Sequence, residues 1–395
     1  MNKKWIRTYL PLCLMASLVF VVVVLCTHVL RDELPDEVPK RYIEFPELPG
    51  AYLFDKNEEY YWMLPLNDAE WRTADHADHM KSDDLVFGLY WNDKAWALPW
   101  WILKNHHVAN LVLDHQPVLV TFCEVCSSAC AFHAVVDGQR YTFRIVGAYN
   151  GTHFLADYET GSYWPSFEGN SVYGPRKGSK MERLPLYQCT WKEWLTLQPK
   201  SLVAYGADIL RTGHGQHFEP GNPRIHPRFR KSLLRPVDHR LPPGELLLGV
   251  EVNGKSRAYP LATLDKLGRV LNEKLGGQEI VLLHLPDTMM AIAFSRQIGD
   301  NVLIFKQGDD GQILDQKYHG RWNYNGEAIE GTLAGQKLSF VSSKVEEWYI
   351  WAAFHPKTDI FEPDISTALP TGPEAWLAPP YARRRAAGPN APNSD

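Results

Sequence analysis

Two segments of this chain match each other position by position. Gly88–Pro99 aligns with Gly249–Pro260, and Pro117–Phe132 aligns with Glu279–Phe294, in both cases at equal length. Spaced glycines and paired tryptophans continue the match toward the end of each segment. Such an internal duplication requires both segments to form the same small unit. Residues kept in both copies are therefore expected to serve the scaffold, and special residues kept in one copy are candidates for function.

The duplication divides the chain into six parts, and turn and strand patterns predict a β-rich α+β fold with two tandem β repeats and short helices. In order, the parts are a cytoplasmic N-terminus and transmembrane anchor at 1–30, a spacer at 31–84, the first repeat at 85–205, a connector at 206–245, the second, degenerate repeat at 246–362, and a tail of disordered composition at 363–395.

Hairpins are the clearest local signals. Asn92-Asp93 and Asn253-Gly254 each separate two apolar runs, and these residues tolerate the positive φ that tight turns require. A third hairpin is predicted at Asp137-Gly138, with arms reaching back to Phe132 and on to Ile145. Short helices are predicted at Pro99–His107, Trp191–Leu197, Pro260–Leu267 and Glu346–Phe354.

The N-terminus carries a membrane signal. Tyr9 to Leu30 is an almost continuous apolar run without a charged residue, long enough to cross a bilayer as one helix. Basic residues precede the run and acidic residues follow it, which predicts a single-pass anchor with the bulk of the chain on the periplasmic or extracellular side. The net charge of −5 excludes a typical nucleic-acid binder. The membrane is thus the one expected partner.

The strongest candidates for metal binding or redox chemistry are the cysteines of Cys123-Glu-Val-Cys126. This motif directly follows a predicted buried strand, and Cys130 lies four residues after it. Thiolates at this spacing suit a soft or borderline metal such as Zn, Cu or Fe, and they also suit thiol redox exchange. Counting back from the strand, His106 falls opposite Gly268, and the second segment lacks all three cysteines. We therefore predict a metal or redox site formed by His106, Cys123 and Cys126, with Cys130 as a fourth candidate ligand.

Three alternatives stay open at this point. The cysteines could form a structural disulfide in a non-enzymatic interaction module, since an oxidising compartment favours such bridges. They could be inert buried thiols. Cys123 could also be the nucleophile of a hydrolase or transferase with His106 as its base.

The first segment resembles the family called domain of unknown function 3179, and the second resembles it in a decayed form. The resemblance implies that His106, Cys123 and Cys126 occupy the family's histidine and cysteine positions, while His107 stands where the family has Glu. The matching stretches are Ala97–Pro99, Leu103–Asn110, Val118–Ala129, Asn150–Trp164 and Thr190–Trp194. The resemblance implies a domain without an assigned activity.

Overall fold

A computed structural model of the chain describes residues 42–54, 64–206 and 225–363. The predicted anchor at 1–30, the tail beyond 363, and parts of the spacer and connector lie outside these residues. Within the described ranges, no helix is both long and apolar enough to cross a membrane. The described part is β-rich with a few short helices, as the sequence predicts.

The strands up to residue 206 build three five-stranded sheets and one two-stranded ribbon. They are β1 Tyr42–Glu44, β2 Ala51–Phe54, β3 Leu66–Asn67, β4 Glu70–Thr73, β5 Leu85–Trp91, β6 Lys94–Pro99, β7 Val108–Leu113, β8 Gln116–Cys123, β9 Ser128–His133, β10 Val135–Val136, β11 Gln139–Arg140, β12 Phe143–Tyr149, β13 Thr152–Asp157, β14 Tyr163–Pro165, β15 Glu182–Leu184, β16 Tyr187–Thr190 and β17 Leu202–Tyr205. The sheets run β1-β2-β12-β13-β14, β15-β9-β8-β7-β3 and β16-β5-β6-β17-β4.

The strands beyond residue 225 build three four-stranded sheets and a second ribbon. They are β18 Leu246–Val252, β19 Lys255–Pro260, β20 Val270–Leu275, β21 Gln278–His284, β22 Ala291–Ser295, β23 Gln297–Ile298, β24 Asn301–Val302, β25 Phe305–Gln307, β26 Ile313–Asp315, β27 Arg321–Trp322, β28 Ala328–Glu330, β29 Phe340–Val341, β30 Ser343–Glu347 and β31 Asp359–Ile360. The sheets run β30-β18-β19-β31, β20-β21-β22-β29 and β25-β26-β27-β28.

The described residues contain five α-helices, none longer than seven residues. They are α1 Trp100–His106, α2 Trp191–Leu197, α3 Pro227–Ser232, α4 Leu261–Leu267 and α5 Trp348–Phe354. The predicted start of the last helix was wrong. Glu346 and Glu347 belong to β30, because their backbones pair with Leu247 and Leu246 of β18. Tertiary pairing here overrides a local helical pattern.

The first two predicted hairpins are confirmed. Asn92 and Asp93 lie between β5 and β6 with φ of 50° and 56°, and Asn253 and Gly254 lie between β18 and β19 with φ of 50° and 73°. The third is shorter than predicted. Across Asp137-Gly138, β10 pairs with β11, and the N–H of Tyr141 donates to the carbonyl of Ala134 at 2.9 Å. The arms diverge beyond this point, because β9 joins β8 and β15 while β12 joins β13 and β2.

Similar contacts recur at matching positions of the two segments. Asn110 accepts from the backbone N–H of Phe143 at 2.8 Å and donates to its carbonyl at 2.9 Å. Asn272 does the same for Phe305, at 2.8 Å and 2.7 Å. These amides fix a strand that would otherwise leave its backbone polar groups unpaired, which is why both segments contain an Asn there.

One hydrophobic core joins the two segments. Phe87, Leu98 and Val120 of the first pack in the same cluster as Leu248 and Leu282 of the second. The described residues accordingly fall in one compact unit. Neither segment buries its apolar face by itself, so side chains of the second segment reach the interior of the first.

Asn110→Ala should lower the free energy of unfolding by roughly 2–4 kcal/mol, because it leaves the buried N–H and C=O of Phe143 without their partner. Urea unfolding of the full chain measures this. Asn301→Ala is the matched control, since that amide bonds only the exposed Lys317 ammonium. Equal small effects of both changes would contradict the assigned role.

Candidate functional site

The two cysteines of the CxxC motif flank one tight turn. Cys123 ends β8 and pairs with Ser128, the first residue of β9. Glu124–Cys126 forms a single 3-10 turn, and Ser127 takes a left-handed φ of 50° to close it. The turn brings the side chains of Cys123 and Cys126 close enough for Cys123 to influence the ionisation of Cys126. Both lie in the same apolar cluster.

All four cysteines in the described residues are free and buried: Cys123, Cys126, Cys130 and Cys189. The disulfide alternative does not match this state. Burial raises the pKa of the Cys126 thiol well above its ordinary value, and Cys123 and the Glu347 carboxylate add to the effect. A hydrogen bond with Tyr349 acts in the opposite direction. Cys126 is a neutral thiol at physiological pH.

The other two predicted ligands have different partners. His106 ends α1 with its Nδ1 2.7 Å from the carbonyl oxygen of Leu64. Cys130 lies in β9 and its Sγ accepts from the Arg183 guanidinium at 2.9 Å. In the part of the chain that the structure describes, neither is hydrogen-bonded to Cys123 or Cys126. The four-ligand set stays a prediction, with two of its members in contact. A base role for His106 toward Cys123 gains no support from this arrangement.

The second segment contributes side chains that the sequence analysis missed. Tyr349 of α5 donates its hydroxyl proton to the carbonyl of Gly151 at 3.2 Å and also contacts Cys126. Ser127 donates to Glu347 at 2.7 Å, and Ser128 donates to Glu346 at 3.2 Å. The two glutamates are almost fully buried. Side chains of β30 and α5 thus contact the turn at Cys123–Ser127, called the thiol turn from here on.

A sequence signal for these residues existed. Trp348 matches Trp191, which places Glu346 and Glu347 opposite Cys189 and Thr190. Acidic residues therefore stand in the second segment where the first has none, and this difference is the signal that identifies Glu346 and Glu347.

A charged cluster lies beside the turn. The Lys344 ammonium is 2.8 Å from a carboxylate oxygen of Glu168 and 3.3 Å from Glu346. Burial by itself would raise the pKa of Glu168, but Lys344, His355 and Arg183 lower it to about 2. Burial lowers the pKa of His355 to about 4. The cluster therefore combines an ionised carboxylate with a neutral imidazole at pH 7.

This cluster also contains side-chain atoms that could coordinate a metal ion. One ligand atom each from Glu168, Glu251 and His355 lie within 4.8 Å of one another. The sequence gives no signal for this group, since its members are far apart in the chain and follow no motif spacing.

Two further histidines are buried near the thiol turn. His107, just after α1, and His153, in β13, are each 7% exposed, and their ring centroids are 4.7 Å apart. Burial lowers the pKa of His107 to about 4 and that of His153 well below 6.5. Both are therefore neutral imidazoles at pH 7.

Acidification should destabilise the metal-free protein through His107. Its folded pKa of about 4 lies below the ordinary 6.5, so the unfolded chain binds a proton that the folded one excludes. The contribution is complete above pH 6.5 and is lost as the pH falls toward 4, up to about 3 kcal/mol. Urea unfolding across pH 4–7 should show a shallower pH slope for His107→Gln than for the control His106→Gln. Equal slopes would contradict the assignment.

The profile of the family described as "Protein of unknown function (DUF3179)" matches residues 65–358, about three quarters of the chain. The match runs through both segments and the connector between them. The chain matches no curated protein and no solved structure. With most of its length covered by one profile, including the thiol turn and the acids beneath it, this chain belongs to the DUF3179 family.

Proposed function

We propose that this protein binds a soft transition metal ion through Cys123 and Cys126. The observation that carries the proposal is the contact between two free, buried thiols within one four-residue turn. Two thiolates at this spacing are a donor pair that soft cations prefer to oxygen ligands. Binding would release the two S–H protons to solvent, as metal binding to thiols generally does.

The protonation of Cys126 favours metal binding over thiol–disulfide exchange. Exchange requires a thiolate before the partner arrives, and catalytic cysteines have a lowered pKa. Burial acts in the opposite direction on Cys126. A metal ion, in contrast, displaces the proton itself and supplies the positive charge that the buried turn lacks.

The two segments differ in what they contribute to the proposed site. The matching order of elements in β5–β9 and β18–β22 and the recurring asparagine contacts support an internal duplication. So do the indole N–H groups of Trp194 and Trp351, which donate to Ser201 and Thr358 at 2.8 Å and 2.9 Å. We propose that the first copy provides the thiols and the second provides their support. The apolar run at 9–30 supports a membrane-anchored protein whose metal site lies outside the cytoplasm.

Cys123→Ala and Cys126→Ala should each abolish tight binding of Cu(I) or Zn(II), measured anaerobically on the full chain by competition with a chromophoric chelator. Cys189→Ala is the matched control, because that thiol is equally buried but lies in β16. Loss of binding in the control as well, or undiminished binding in both turn variants, would refute the proposal.

A second candidate function is a divalent-cation site at Glu168, Glu251 and His355, favoured by the proximity of their ligand atoms. Carboxylates and a neutral imidazole suit Zn(II) or Mn(II). Lys344 already neutralises Glu168, so an incoming cation must displace the ammonium group. This competition is why the thiol turn is the preferred site.

Mn(II) titration followed by electron paramagnetic resonance tests the second site. Glu251→Gln and His355→Ala should each weaken binding at least about tenfold, while Cys123→Ala and the exposed control Glu182→Gln leave it unchanged. An unaltered titration in both ligand variants would eliminate this site.

A further inference from the structure

His107 occupies a backbone conformation that residues with a side chain adopt uncommonly. It follows α1 with a φ of 57°, in the left-handed region, and the helix of the second segment ends instead at Gly268 with a φ of 91°. The helix ends thus equate His107, rather than His106, with Gly268. A histidine stands here although glycine adopts this conformation more easily, which makes its ring a candidate for a functional role.

The hydrogen bonds of His107 define which of its nitrogens is available. Nδ1 lies 3.2 Å from the carbonyl oxygen of Phe122, the residue immediately before Cys123. A carbonyl oxygen only accepts, so Nδ1 carries the proton. In a neutral ring the lone pair is then on Nε2. Nε2 makes no hydrogen bond to any described residue.

His153 has a buried nitrogen without a partner. Its Nε2 is shielded from solvent and has no hydrogen-bond partner among the described residues. An unsatisfied buried polar atom is unfavourable and calls for an explanation such as a ligand or ion. Phe229 of α3 packs edge-on against the ring, with centroids 5.2 Å apart, and Phe229 belongs to the apolar cluster that also contains Cys123 and Cys126.

Burial is the main reason that both imidazoles are neutral, and nearby charge adds to it. His106 and Lys104 disfavour protonation of His107, while His107, Arg228 and His226 disfavour protonation of His153. A bare cation would be repelled in these surroundings. Two thiolates neutralise the charge of a divalent cation, so the metal binds here only together with the thiolates of Cys123 and Cys126.

We propose that His107 and His153 are the nitrogen donors of the metal bound at Cys123 and Cys126, making an N2S2 site for Zn(II). This rests on the proposed function and specifies its metal. Two thiolates alone suit Cu(I), whereas two sulfurs with two imidazoles are a tetrahedral zinc donor set. No three of these four ligand atoms lie within 4.8 Å of one another in the metal-free arrangement, judging by the described residues. Zn(II) binding therefore requires these four side chains to move toward one another.

Co(II) substitution of the full chain tests the donor set. Wild type should bind one Co(II) with strong tetrahedral d–d absorption and thiolate charge-transfer bands, and Zn(II) should displace it. His107→Ala and His153→Ala should weaken Zn(II) binding at least about tenfold and shift the d–d bands while the thiolate bands persist. His133→Ala is the matched control, a histidine of β9 whose Nε2 contacts Gln116, and should behave as wild type.

The outcomes separate the two proposals. If Cys123→Ala abolishes binding while both histidine variants bind Zn(II) with wild-type affinity and spectrum, the nitrogen assignment is overturned and the thiol site stands. If wild type binds neither Co(II), Zn(II) nor Cu(I), the proposed function itself fails. Because a variant may lose its fold, His107→Gln and His153→Gln are measured in parallel by metal-free thermal unfolding. Folded Gln variants with unchanged Zn(II) affinity would equally overturn the assignment.

Discussion

The shared hydrophobic core is the constraint on which the rest of the structure depends. Two sheet-forming segments bury their apolar faces in one cluster, with Phe87 and Leu98 beside Leu248 and Leu282. Because that packing fixes β18, it also fixes β30, whose end carries two glutamates under the thiol turn. The site is therefore a product of both segments, although every cysteine in the described residues lies in the first.

Burial then decides the chemistry. In an interior of low dielectric constant, an isolated charge is costly and a group shifts its pKa so as to stay neutral. Cys126, His107 and His153 follow this rule, whereas Glu168 and Lys344 stay charged because each lies against the other. An incoming cation can displace the proton of a neutral thiol and accept the lone pair of a neutral imidazole. An ion in a salt bridge must first leave its partner before it can bind a cation.

Local signals in the sequence predicted local structure well and long-range pairing poorly. The turns at Asn92-Asp93 and Asn253-Gly254 were predictable because positive φ depends on the residue type itself. The long third hairpin was not predictable, because β9 pairs with its neighbour β8 and the distant β15, while β12 pairs with its neighbour β13 and the distant β2. The same limitation applied to the site. The CxxC spacing identified Cys123 and Cys126, but no local pattern distinguishes His106 from His107, and Tyr349 gave no local signal.

The sequence by itself determined the β-rich class, the tight turns, the family and the pair of thiols, since each of these depends on residue type and short spacing. Tertiary structure alone decided which histidine is buried, which acids lie under the turn and which groups are neutral. The physical reason is that burial and partner distance are properties of packing between distant segments. A one-residue difference at the end of α1 leaves His106 beside Leu64 and places His107 against His153.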